Sequence, residues 1–380
     1  MTTALVTTTI FVPHNLEGYL ENFAAHGHHD VWTIVIGDRK TPAEVGPYLA
    51  DLEQRSGYRI DYWDVPRQEK WLVDLPELAA SIPWNSVQRR NFAYLLAVME
   101  EAECIISIDD DNFVTGDDYL DQHRIVGRRE TLPAVTTPGG WFNSCSLLES
   151  EPAKPLFHRG FPLDKRGLDL TPTYGEATGR VVVNAGLWLE VPDVDALTHL
   201  DCPVRVTDFK PDAPRRLLVG PGTHTVFNSQ NTAMHRDLLP AMYLPIMNER
   251  AGELVVGRFD DIWTSLFIKA IADHLGDFVC FGRPLVRQDR NEHDLLHDML
   301  IELPAQRITS KLVVSLAAIR LTGDDYASCY DELIDGLRGR LELDGYTSGE
   351  VPYLRRMLDR MEIWSRTCRE VAPAPAGSTA

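Results

Sequence analysis

The chain has 380 residues, 44% hydrophobic and 24% charged, which fits a soluble globular protein with one large α/β domain or two modest ones. Its formal net charge of -19 at pH 7 argues against DNA or RNA as a partner. An anionic diphosphate ligand would need its charge cancelled locally, by a metal ion or by a few Arg and Lys.

The first third alternates apolar runs with helical segments. Residues 4–10, rich in β-branched side chains, read as a strand, with Thr8 near its end. A helix is expected at 16–25, a buried strand at 31–36 running into Gly37-Asp38, a helix at 42–56 and a strand at 59–63. A helix at 86–102 then leads to a buried strand at 104–108. Strands separated by helices predict a mostly parallel sheet with right-handed crossovers. In such sheets ligands bind beyond the carboxyl ends of the strands. Asp38 and Asp109-Asp110-Asp111 both follow strands and are expected to face one crevice.

From 131 to 256 the chain is richer in Gly and Pro, with short strands at 134–137, 181–183 and 217–219. A helix at 262–275 follows Phe259-Asp260-Asp261, and a strand follows at 278–281. Residues 309–369 read as helical, and the Ala/Pro tail 372–380 as disordered. The domain reading is a catalytic unit over 1–300, with a nucleotide-binding half at about 1–130 and a sugar or acceptor half at about 131–300. A helical segment over 301–370 and a tail over 371–380 complete it.

The six cysteines are scattered, without a CxxC, as expected of reduced thiols. The N-terminus lacks a basic, apolar leader, and no stretch reaches the ~18 apolar residues of a membrane span. The expected location is cytoplasmic.

The run Ile105-Ile106-Ser107-Ile108-Asp109-Asp110-Asp111-Asn112 places three carboxylates directly after a strand. In extended backbone Asp109 and Asp111 point one way and Asp110 the other. Two carboxylates on one side suit a hard cation, Mn2+ or Mg2+, with positions left for diphosphate oxygens. A solvated acidic turn is the plain alternative.

Further stretches complete a pattern: Ile82-Pro83, Arg90 with Phe92 and Tyr94, Phe113-Val114, Arg159-Gly160-Phe161-Pro162 and Gly186-Leu187-Trp188-Leu189. Val191-Pro192-Asp193-Val194-Asp195-Ala196, Asn231, Ala241-Met242-Tyr243, Gly257-Arg258-Phe259-Asp260-Asp261 and Asp273-His274-Leu275-Gly276 follow in order. Each is weak alone. As an ordered series they resemble the reversibly glycosylated polypeptide family, the UDP-arabinopyranose mutases. The resemblance implies a GT-A-type, Rossmann-like α/β fold with a mixed central sheet and a helical C-terminal extension. It also implies a UDP-sugar as partner, a divalent cation (Mn2+ or Mg2+), and sugar attached reversibly to an arginine. The acidic run maps onto the metal and diphosphate motif, with Asp109 and Asp111 toward the metal and Asp109 and Asp110 toward the nucleotide sugar. Arg159 sits where the family's glycosylated arginine sits. Gln288 stands where GT-A proteins often supply a metal-binding histidine, with His293 and His297 nearby, and Ala185 stands where plant members have histidine.

The remaining roles follow from residue type. Arg90 offers a donor fork to uracil or phosphate, or makes a salt bridge. Thr8 and Asp38 are expected at the nucleotide, and Asn184, Gly186 and Asn231 near the sugar. Asp260 and Asp261 open a helix; jointly they are expected to bond the sugar, act as general base or stabilise positive charge at the anomeric carbon, with capping of the helix the plain alternative. An arginine is a poor nucleophile because its pKa exceeds ~12, so Arg159 would need a neighbouring base. Three activities fit: a UDP-sugar mutase with self-glycosylation, a glycosyltransferase acting on an external acceptor, and a nucleotide-sugar-binding scaffold. Homo-oligomer contacts through the helical segment fit all three.

Overall fold

The computed structural model describes residues 1–137, 140–167 and 171–371; the expected disordered tail at 372–380 lies outside them. The first unit runs β1 (Thr3–Thr9), α1 (Asn15–Ala25), β2 (Val31–Gly37), α2 (Val45–Ser56), β3 (Ile60–Trp63), α3 (Val65–Leu72), α4 (Pro76–Ser81), α5 (Arg90–Met99) and β4 (Cys104–Ile108). Then come β5 (Asn112–Val114), α6 (Tyr119–His123), β6 (Arg129–Thr136), β7 (Leu148–Glu151), β8 (Thr173–Glu190), α7 (Ala196–Asp201), β9 (Arg205–Phe209), β10 (Arg216–Val219) and β11 (Asn231–His235). The chain closes with β12 (Glu249–Ala251), β13 (Leu254–Val256), α8 (Asp260–Leu275), β14 (Phe278–Gln288), α9 (Leu295–Ala317), α10 (Tyr326–Arg340) and α11 (Glu350–Val371).

The sheet order is β3-β2-β1-β4-β11-β8-β6-β10-β14-β5, with β7 and β9 joined to β8. β3, β2, β1 and β4 are mutually parallel, whereas β11 runs antiparallel to β4. Residues of β1 and β4 are buried and largely β-branched, which suits strands covered on both faces. This is a mixed α/β architecture with a mixed central sheet and a helical C-terminal part, as expected from the sequence.

Several boundaries differ from expectation for identifiable reasons. The helix expected at 86–102 is a 3-10 turn, Val87–Arg89, followed by α5. Ser86 Oγ accepts from Gln88 N at 3.3 Å and starts the turn. The helix ends because Glu101 adopts φ 63° and Ala102 N–H returns to Ala97 O at 2.9 Å. The short strand expected at 181–183 is the middle of β8, whose first half pairs with β6 and second half with β11 and β14. The strand expected at 278–281 continues to Gln288, which brings that residue opposite Asn112.

The C-terminal helices are part of the main core. Ala305, Ile308, Leu312, Leu333, Met361 and Trp364 share one apolar cluster with the sheet. Each fully buried large apolar side chain contributes about 1.5–3 kcal/mol. Trp263 Nε1 on α8 donates to Thr309 Oγ1 at 2.8 Å, and Trp364 Nε1 donates to Leu239 O at 3.1 Å. All six cysteines are free, and all but Cys202 are buried. Among the described residues no helix is long and apolar enough to cross a membrane.

Candidate active site

The acidic run does not continue as a strand. Asn112 N–H bonds back to Asp109 O at 3.3 Å, so the chain turns between β4 and β5. The alternation expected of extended backbone is thereby lost, and Asp109, Asp110 and Asp111 all line one cleft of about 390 Å³. Thr8, Asp38 and Arg90 line the same cleft, with Ile10, Phe11 and Val87 as exposed apolar walls. It lies beyond the carboxyl ends of the parallel strands, as their topology requires.

Each aspartate of the turn has its own anchor. Asp109 Oδ1 accepts from Arg90 Nη2 at 2.5 Å, Asp110 Oδ2 from Thr9 Oγ1 at 2.7 Å, and Asp111 Oδ2 from Asn291 N at 3.4 Å. Beneath the turn, Asn15 Nδ2 donates to Asp109 O and to Asn112 O, both at 3.0 Å. Burial first, and Asp109 second, push the Asp111 carboxyl up to about 7. Asp38 is fixed by Arg39 N at 2.7 Å and Ser86 N at 3.1 Å.

Arg90 opens α5 and is 2% exposed. Its Nη1 donates to Ser229 Oγ at 2.9 Å, and its Nη2 also reaches Thr8 Oγ1 at 3.4 Å. Burial opposes its charge, but Asp109, together with Tyr94 and Asp261, holds the guanidinium above its ordinary pKa. From Ser229 the chain of bonds continues: Ser229 N donates to Asp261 Oδ2 at 3.2 Å, and Asp261 holds Arg159.

Arg159 is 7% exposed and is not a wall of the cleft. Asp193 accepts from Nε at 2.7 Å and Nη2 at 3.0 Å, and Asp261 accepts from Nη1 and Nη2 at 3.2 Å. Arg258 O takes a further bond from Nη1. Burial disfavours the charge, yet Asp193 and Asp261 hold Arg159 well above the ordinary arginine pKa. Asp260 accepts from Gln88 Nε2 at 2.6 Å, and burial followed by Asp261 pushes it up to about 6. Neither aspartate caps α8; the residue before the helix is Phe259.

Asn184, Gly186 and Asn231 are not among the residues lining the cleft. Asn231 Oδ1 accepts from Tyr119 OH at 2.9 Å and its Nδ2 donates to Leu187 O at 3.1 Å. Asn184 Nδ2 lies 3.0 Å from His123 Nδ1. A Cβ on Gly186 would come within 2.3 Å of Asn231 Nδ2, so this glycine admits close packing inside the sheet. Trp188 is 1% exposed and packs on His158. The sequence reading gave no role to Asp193, Ser229, Gln88 or Asn15. Asp193 sits inside a quoted motif, but only tertiary structure shows that it holds Arg159.

A family model described as reversibly glycosylated polypeptide matches residues 7–373. The chain belongs to the reversibly glycosylated polypeptide family. It is similar to UDP-arabinopyranose mutase 2 of Arabidopsis thaliana, 27% identical over 311 residues, covering 80% of this chain and 77% of that protein. UDP-arabinopyranose mutase 1 of Oryza sativa subsp. japonica is 27% identical over 308 residues, covering 78% and 75%. Among solved structures, glucosyl-3-phosphoglycerate synthase from Mycobacterium tuberculosis with Mn2+ and UDP-glucose has 11% identity and a TM-score of 0.36, covering 85% and 81% of the two chains. The mannosyltransferase PcManGT from Pyrobaculum calidifontis with GDP-Man and Mn2+ has 9% identity and a TM-score of 0.38, covering 98% and 76%. Scores this low decide nothing about the site.

Among the side chains lining the cleft, the carboxylates are Asp38 and the three of the turn. Among the described residues no group of three His, Cys, Asp or Glu is arranged to hold a metal ion. Asp109 and Asp111 carry hard oxygen donors of the kind a divalent cation takes. Gln288 bonds to the Asp111 carboxylate and accepts from Gln230 Nε2 at 3.1 Å. His293 lines the cleft but is bound to Asp298 at 2.9 Å, and His297 is exposed.

Proposed function

We propose that this chain is a UDP-sugar enzyme that holds the diphosphate at the turn Asp109–Asp111 and interconverts pyranose and furanose forms of the attached sugar. The observation that carries the reading is the single cleft in which Asp38, Arg90 and all three aspartates of the turn meet. The names of the mutase relatives support the choice of substrate and reaction. Asp109 and Asp111 would hold Mn2+ or Mg2+, which when bound supplies neutralisation of the charge on the departing diphosphate. Arg90 orients Asp109, while Asp38, with Thr8, faces the nucleoside.

In the self-glycosylation scheme, a bond forms from an Arg159 Nη to the anomeric carbon as the bond to UDP breaks. The electron pair leaves on the β-phosphate. Asp261, bonded to both Nη atoms, is the neighbouring base that takes the proton. Asp260 and Asp261 also stabilise positive charge at the anomeric carbon. Return of UDP to a ring that has opened and reclosed releases the changed isomer.

A second reading, transfer to an external acceptor, is favoured by one observation: every nitrogen of Arg159 is already engaged. Incubation with UDP-arabinopyranose and Mn2+, followed by chromatography, separates the two. A furanose isomer formed without acceptor, with label on the protein that is lost in Arg159→Lys, supports the mutase. UDP release only when an acceptor is added supports the transferase. Binding of UDP with no turnover in either assay overturns both.

A further inference from the structure

A second cavity, about 540 Å³, lies where α10 and α11 meet the far ends of α5, α8 and β14. It exceeds the front cleft in volume and falls in the range of small-molecule sites. Val98, Leu239, Pro240, Leu275 and Ala327 give it an apolar lining.

Its charges are arranged unevenly. One wall is closed: Arg180 Nη2 and Nη1 donate to Asp277 and Asp237, both at 2.7 Å, and Tyr326 OH donates to Asp277 at 2.9 Å. Arg369 is taken by Asp331, and the Asp325 carboxylate caps α10 through Ser328 N at 2.7 Å. Two charged groups remain. The Arg236 guanidinium and the Asp324 carboxylate both line the cavity, and neither has a hydrogen bond or ion pair among the described residues. Arg236 is half-buried and Asp324 is exposed at the mouth.

A simple anion would satisfy Arg236 but face Asp324 and Asp325. A simple cation would leave Arg236 unmatched. We propose that this cavity binds a small zwitterion with an apolar body, of the free amino acid type. The carboxylate bonds to Arg236, the ammonium faces Asp324, and the side chain lies on Leu239, Pro240 and Leu275. The occupant would touch α5 and α8, whose other ends carry Arg90 and Asp260 with Asp261. Binding here does not depend on what fills the front cleft.

The test is thermal unfolding and calorimetry of the full chain with each free L-amino acid at millimolar concentration. Phenylpropionate and phenethylamine serve as single-charge partners of L-phenylalanine. The expected result is a rise in Tm with amino acids bearing apolar side chains and none with the single-charge analogues. R236Q and D324N should each weaken binding about tenfold or more, as for loss of a charge-assisted pair, while keeping the ligand-free Tm. The proposal is overturned if no amino acid raises Tm, if the rise survives in R236Q, or if UDP competes it away.

Discussion

Asp193 and Asp261 clamp Arg159 from two sides, Asp193 at 2.7 and 3.0 Å and Asp261 at 3.2 Å. Two carboxylates on one buried guanidinium leave the trio with a net negative charge. The clamp also makes the trio a structural element, since Arg159, Asp193 and Asp261 tie together the chain before β8, the turn after β8 and the start of α8.

Removing Asp193 strips Arg159 of two charge-assisted bonds. Asp193→Ala leaves the buried guanidinium with Asp261 and Arg258 O, and the loss should cost about 1.5–3 kcal/mol for each charged hydrogen bond removed. Asp193→Asn retains part of the hydrogen bonding and should cost less. Urea unfolding midpoints at constant slope are the measurement, with the order wild type, Asn, Ala. Equal stability of all three would mean that Asp261 alone satisfies Arg159.

Arg90→Lys tests the front cleft. Lysine keeps a charge but cannot bond Ser229 and Asp109 at once with a planar fork. UDP affinity should fall about tenfold or more, the scale of a charge-assisted pair, and titration calorimetry reads it. Unchanged affinity would remove Arg90 from the diphosphate end of the cleft.

The elements around this cleft were legible because their signals are local. The apolar runs of β1, β2 and β4 and the carboxylates after β4 need only neighbours in sequence. The turn at Asp109–Asn112 was not legible, because the bonds from Asn15 that hold its carbonyls come from a different element. Asn184 and Asn231 look like sugar-binding residues in sequence, yet their amides face Tyr119 and His123 inside the sheet. The partnership of Arg159 with Asp193 and Asp261 joins residues 34 and 102 positions apart, and no local pattern encodes it.

Asp260 gives a pH dependence of stability. Its folded-state pKa of about 6 lies above the ordinary 3.8, so the folded protein binds this proton more tightly than the unfolded chain. The stability linked to it is fully present below the unfolded value and is lost as pH rises through about 6. Asp260→Asn removes that loss. The Tm of the variant relative to wild type should rise between about pH 4 and pH 8, by an amount corresponding to roughly 1–3 kcal/mol. A difference that stays flat across this range would place Asp260 in the charged state throughout.

Asn15 supports the acidic turn without lining the cleft. Its Nδ2 bridges the carbonyls of Asp109 and Asn112, so it holds the ends of the turn at a fixed separation. Asn15→Asp loses the donor and sets a carboxylate against two carbonyl oxygens and the three aspartates, within a site that is 1% exposed. Asn15→Ser keeps a donor but is too short to span both. If Asn15 acts by positioning, the Ser variant should keep most of its Tm, and its UDP affinity in the presence of Mn2+ should fall several-fold more than its affinity in chelator. If both affinities fall equally, Asn15 serves the fold as a whole rather than the geometry of the turn.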